Sequence, residues 1–323
     1  MTTLRILSVA AFALLATACS NEETVTSNFP DDGIVRISTG IKDLNTRGFH
    51  TTNDLSEFGI SISNSKNSYY SYDNIKVTGS NATEWTTESV MLWQNSTQPV
   101  DIIAYAPYQT GAKVLNGTLE AGVEAAQTQE DKSSDVLLSV QKGFIPGNGL
   151  NSDKKLEIPF SHAFSKLVIS ITLGTEFNAK GKNISSTNPI SNLTISGTVI
   201  KGICDLTAEA PAFEAKASEE ATNITPYETG YTPPANDNEH GIATYECILV
   251  PQQIAAGKFR ISFTINGTEY TWISEQAAQL EPGTSYNLPL TAGNEVIIAN
   301  KMTISTWYDN RTADVQTEYQ VVK

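Results

Sequence analysis

The sequence predicts an all-β protein of the sandwich kind, and three observations predict it. Its apolar residues come in short runs, among them GISIS (59–63), DIIAYAPY (101–108), DVLLSV (135–140), KLVISITL (166–173), NLTISGTVI (192–200), CILVP (247–251), FRISFTI (259–265) and YNLPL (286–290). Runs of that length, rich in β-branched and aromatic residues, suit strands. They are cut by turn signals such as Pro146-Gly147-Asn148-Gly149, Asn266-Gly267 and Pro282-Gly283, spaced as in a β-sandwich rather than in βαβ units. Helical periodicity is nearly absent, and only LEAGVEAAQTQED (119–131) predicts a short surface helix.

Taken in order, the chain opens with a positive segment, MTTLR, an apolar segment, ILSVAAFALL, and the small residues ATA. These are the three parts of an export signal over residues 1–18, with an apolar part too short to span a bilayer. Cys19 would then lead the mature chain, followed by SNEE. This resembles a bacterial lipoprotein processing site, in which the thiol is acylated, although Ala16 stands where the usual Leu is expected and Leu15 lies one step earlier. The acidic SNEE resembles the tag that sends such proteins to the outer face of the outer membrane, and residues 19–32 are polar enough for a tether. About 300 residues remain after the signal, enough for two sandwiches of roughly 130 to 160 residues each.

The first strand is expected at residues 34–41. Val35, Ile37, Thr39 and Ile41 alternate with Ile34, Arg36, Ser38 and Gly40, giving one face more apolar than the other. A polar connector containing Arg47-Gly48 follows at once. Residues 208–240, rich in Ala, Glu, Pro and Asn, read as a long excursion in the second half. At the far end Val315, Thr317, Tyr319 and Val321 alternate with Gln316, Glu318, Gln320 and Val322, again a strand with one face for a groove and one for water.

Composition and motifs say more about what to exclude. A net charge of −14 argues against nucleic acid, whose phosphates such a surface repels. His50, His162 and His240 lie far apart and in no metal-binding spacing, so neither a metal nor a cofactor is expected. The chain has no G-x-S-x-G elbow, P-loop or Gly-rich dinucleotide turn, and no catalytic residue is assigned. His162 alternates with Phe160 and Phe164 in PFSHAFSKL, the pattern of a packed structural histidine. Tyr69, Tyr70 and Tyr72 could stack on a glycan or a partner, or simply edge a strand. Cys204 and Cys247 read as two buried thiols, with a disulfide permitted by the exported compartment but not indicated by spacing.

The order of several segments resembles the fimbrillin family, the type V pilins and accessory pilins of Gram-negative anaerobes. They are Trp93 followed by VDIIAYAPY (100–108), SDVLLSV (134–140), PFSHAFSKLVISI (159–171), ILVPQQI (248–254), LEPGTSYNLPL (280–290) and MTISTWYDN (302–310), behind the lipoprotein-like start. The resemblance implies two tandem transthyretin-like β-sandwich domains, here 33–160 and 161–323. It also implies a precursor carried to the cell surface on its lipid and cut by an arginine-specific protease behind the first strand. The hydrophobic groove so opened is filled by an extended segment of another fimbrial subunit. Arg47-Gly48 occupies the matching place, with Arg36 and Lys42 nearby as other basic sites, and the tail from Val315 to Val321 is a candidate donor. The function implied is that of a structural and adhesive subunit, whether stalk, tip or anchor. The reading from another class is a monomeric surface lipoprotein that binds glycan or a host protein.

Overall fold

The computed structural model describes residues 28–41, 55–80, 84–130, 132–178, 186–293, 296–299, 302–306 and 313–314. The expectations placed on Cys19, on Arg47 and Gly48, and on Val315, Thr317, Tyr319 and Val321 lie outside the described residues.

The first half supplies β1 (Ile37–Ile41), β2 (Glu57–Ser63), β3 (Tyr72–Ser80) and β4 (Glu84–Thr87). It continues with β5 (Val100–Ala106), β6 (Thr118–Gly122), β7 (Leu137–Phe144) and β8 (Leu156–His162). All of these except β6 form one mixed sheet in the order β1-β8-β7-β5-β2-β3-β4. Its inward residues, including Phe58, Ile60, Ile62, Ile102, Leu156, Ile158 and Phe160, share one core with Val35, Ile37, Met91 and Trp93. The Pro146–Gly149 turn signal becomes a single helical turn between β7 and β8.

The second half supplies β9 (Ser165–Leu173), β10 (Ile190–Ser196), β11 (Lys201–Asp205), β12 (Phe213–Ala215), β13 (Tyr227–Thr232) and β14 (Ile242–Leu249). After these come β15 (Gln252–Ile254), β16 (Arg260–Ile265), β17 (Thr268–Ile273), β18 (Ala278–Leu280) and β19 (Thr284–Gly293). The short strands β20 (Val296–Ala299), β21 (Thr303–Thr306) and β22 (Ala313–Asp314) end the described chain. The main sheet runs β13-β14-β9-β19-β21-β22, with β20 also on β19, and it shares a core with the smaller sheets β10-β16-β17 and β12-β11-β6. Alternation explains the layering: Leu167, Ile169, Ile171 and Leu173 of β9 are buried, as are Tyr286, Leu288, Leu290 and Ala292 of β19. Asn266 and Gly267, with φ of 51° and 82°, make the turn between β16 and β17, the conformation for which an Asn-Gly pair is suited.

One expectation fails here. The described residues 119–130 form no helix, because Thr118–Gly122 is β6, paired antiparallel with β11. Leu119, Ala121 and Val123 satisfy a period of two as well as Leu119 and Val123 satisfy a period of four, and an available ladder partner decides between them. The excursion at 208–240 carries two strands: Phe213 is buried in β12 beside β11, and β13 extends the main sheet. Among the described residues, β6 is the one strand of the first half built into the second. Behind it, the Gln127 side chain donates to the Ile248 carbonyl and accepts from the Ile248 N–H, both at 2.8 Å.

Candidate functional site: the slot around the first strand

The site is built around residues 33–41. In an extended chain the backbone groups of successive residues face alternate sides, and this segment uses both. On one side Val35 N–H donates to the Met91 carbonyl at 2.9 Å and Trp93 N–H to the Gly33 carbonyl at 2.8 Å, with Ile34 and Leu92 opposed antiparallel. On the other side Leu156 N–H donates to the Arg36 carbonyl at 2.7 Å, and β1 then runs parallel to β8, from Ile37 opposite Leu156 to Ile41 opposite Phe160. β8 meets β7 only at its end, through Leu137–His162 and Leu138–Ser161. Among the described residues, the ladder partner of Leu156–Phe160 is therefore β1. The β7 side of that stretch is bridged by the Gln141 side chain, which donates to the Glu157 carbonyl at 3.0 Å.

β1 and β4 stand at the two ends of the sheet, and they meet. The Trp85 indole N–H donates to Thr39 Oγ1 at 3.1 Å, drawing the last strand of the sheet up to the first. Asn151 Nδ2 donates to Ser38 Oγ at 3.3 Å from the loop before β8. Val35 and Ile37 point inward and are buried, as their alternation requires, while Arg36 points out. Arg36 holds both oxygens of Asp32, at 3.0 and 2.6 Å, and that hydrogen-bonded guanidinium keeps the Asp32 carboxyl well below the usual carboxylate range. The pair is exposed and adds little stability.

Under the strand lies an aromatic floor. Phe58 packs edge-on against Trp85 at 5.0 Å and against Phe160 at 5.2 Å, and Trp93 stacks on Phe144 at 5.8 Å. The slot thus has two hydrogen-bonding walls, a hydrocarbon floor and two side-chain donors aimed at adjacent hydroxyls. Without its strand, Leu156, Ile158 and Phe160 would meet water. Sequence reasoning found the strand but not Trp85, Asn151 or the Met91–Trp93 wall. The alternation of Leu156, Ile158 and Phe160 was a readable sign of the other wall.

Elsewhere several titratable groups are held in pairs within the fold. His162 Nδ1 lies 2.7 Å from Asp135 Oδ1, both side chains fully buried, as the packed-histidine reading of PFSHAFSKL expects. Lys166 pairs with Glu246 at 2.9 Å, and Tyr227 donates to the same carboxylate at 3.1 Å. Cys204 and Cys247 are free and buried; burial pushes the Cys204 thiol up to about 11 and the Cys247 thiol higher still. Tyr69 sits on a 3-10 turn and is 90% exposed, while the Tyr72 hydroxyl accepts from Leu92 N–H at 2.9 Å. Among the described residues no three His, Cys, Asp or Glu gather into a metal-holding group, and no helix is long and apolar enough to cross a membrane.

Solved structures share this fold. A candidate cell adhesion protein from Bacteroides ovatus matches with a TM-score of 0.59 at 17% identity, over 86% of this chain and 99% of that one. One from Bacteroides uniformis matches with a TM-score of 0.57 at 17% identity and the same coverage. The tip fimbrial protein Mfa3 from Porphyromonas gingivalis, truncated at its C-terminus, matches with a TM-score of 0.51 at 8% identity, over 85% of this chain and 100% of that one. No curated protein matches in sequence. The sequence model described as fimbrillin-like matches residues 45–307, most of the chain, and with it the protein belongs to the fimbrillin-like family.

Proposed function

We propose that the protein is a subunit of a cell-surface fimbria, exported and held at the outer membrane by a lipid on Cys19. An arginine-specific surface protease cuts it after Arg47, and strand exchange then joins it to other fimbrial subunits. The observation that carries this reading is the way residues 33–41 are held. They are gripped by backbone bonds on two sides and by burial of Val35 and Ile37, and in sequence Arg47 lies between this strand and β2. A cut there severs the strand from everything it pairs with.

Each ladder bond is worth about 1 kcal/mol net and each fully buried apolar side chain about 1.5–3 kcal/mol, so an incoming strand of equal pattern replaces the first at little net cost. Before the cut, the strand keeps the floor dry and leaves no large apolar patch open. The tail alternation at Val315, Thr317, Tyr319 and Val321 offers one donor segment of this kind.

The test is Arg47→Ala. It should accumulate at the surface as a monomer that still carries its first strand, and the SDS-resistant ladder of polymer should vanish. Normal filaments from that variant, seen by electron microscopy, would remove the cut from the scheme. A wild-type protein that stays monomeric on cells would instead favour the surface lipoprotein that binds glycan or host protein.

A further inference from the structure

We infer that the slot reads two adjacent hydroxyls, and that the segment it accepts from a second copy of this chain is Met302–Thr306 rather than the last ten residues. The inference rests on the strand-exchange reading above.

An indole N–H can only donate, and the part-buried Trp85 offers its own to an acceptor on whatever strand lies beside it. Thr39 Oγ1 brings it now, at 3.1 Å, and one residue earlier Ser38 Oγ accepts from Asn151 at 3.3 Å. Ile37 precedes them, 3% exposed, against the aromatic floor. The slot is therefore occupied by an apolar residue followed by two hydroxyls, Ile-Ser-Thr.

The same tripeptide recurs as Ile304-Ser305-Thr306 in β21. The match extends outward: Met302 stands where the slot strand has buried Val35, and Thr303 where it has exposed Arg36. In sequence the next residues, Trp307 and Tyr308, stand at the places of Gly40 and Ile41. A Cβ added at Gly40 would meet nothing nearer than a Glu157 carboxylate oxygen at 3.8 Å, so the backbone there leaves room for a β-carbon. The tail fits less well. Setting Val315 on the Val35 place puts Thr317 at the buried Ile37 and the Glu318 carboxylate at Ser38, while setting Thr317 on the Thr39 place puts Gln316 at Ser38 and Ala313 at Val35, with one hydroxyl and a smaller apolar residue.

The present seat of β21 also favours transfer. It lies near the margin of the second main sheet, paired with Asn287–Thr284 of β19 and the two-residue β22, and its Met302 and Ile304 are only half-buried. The equivalent residues of the slot strand, Val35 and Ile37, are fully covered. Moving the segment into a neighbour's slot buries apolar surface that its own sheet leaves partly wet, while one set of ladder bonds replaces another.

Paired cysteines in the full chain, on cells that assemble the protein, decide the matter. Ser38 lies opposite Glu157 in the parallel register. The double variant Glu157→Cys with Ser305→Cys should thus give a disulfide-linked ladder between subunits that disappears on reduction. Glu157→Cys with Gln316→Cys should give none. Each variant is first checked for the parent's SDS-resistant polymer under reducing conditions, which separates a folding fault from a wrong register. A ladder from the Gln316 pair alone overturns the inference in favour of the tail. Silence from both pairs in chains that do polymerise overturns it in favour of another segment or of the tail in another register. Absence of any polymer from the parent chain brings down the strand-exchange reading itself.

Discussion

Trp85 and Thr39 join the two ends of a seven-stranded sheet through one side-chain hydrogen bond. Thr39→Val keeps the shape and removes the acceptor, leaving a part-buried indole N–H without it, and the uncut protein should lose about 1 kcal/mol. A fall in the urea midpoint with an unchanged denaturant slope is the expected result; an unchanged midpoint would mean that the bond adds nothing. At this scale the sequence is readable only where a residue's own neighbours decide its fate. Phe160, His162 and Phe164 announce a buried face by alternation, but nothing local announces that the His162 partner is Asp135 or that the partner of Thr39 is Trp85. Side-chain pairs of that kind are set by strand order, which periodicity does not encode.

Among the elements, those with strong local chemistry were legible and those that depend on a distant partner were not. The Asn266-Gly267 turn dictates its hairpin, and the strand around Val35 and Ile37 shows its faces in its own pattern. β6 does not, since Leu119 and Val123 serve a helix or a strand equally well until β11 lies alongside. Its last residue shows how close that approach is: a Cβ on Gly122 would stand 2.6 Å from the Ile200 carbonyl oxygen. Gly122→Val should force the backbone apart there and cost about 1–3 kcal/mol, read as a lower thermal midpoint. Tolerance of Val at that position would show that β6 can shift away from Ile200 at no cost. The first strand is legible as a strand but not as a slot, because its two walls come from residues 91–93 and 156–160, far along the chain.

Across the whole molecule the buried phenols and thiols lean one way. Burial pushes Tyr105 in the first half, and Tyr245 in the second, up to about 12, and Cys204 to about 11. In each case the folded state holds its proton longer than the unfolded chain does. Their contribution is thus fully present below the unfolded values, 9.0 for a thiol and 10.0 for a phenol, and is lost as pH rises through the folded ones. The urea midpoint should therefore fall steadily above about pH 9. A midpoint that holds level into strong alkali would show that these groups are ionised without cost. The two-walled slot also fixes who competes for it. While a peptide bond joins residues 33–41 to the rest of the chain, the strand faces its slot as an intramolecular ligand, at an effective concentration that a copy diffusing in from outside does not match. Severing the chain at Arg47 need not weaken a single contact in the slot to change the outcome. In the proposed scheme such a cut turns a tethered ligand into a free one that is diluted once it leaves, while neighbouring subunits keep their own segments close at hand.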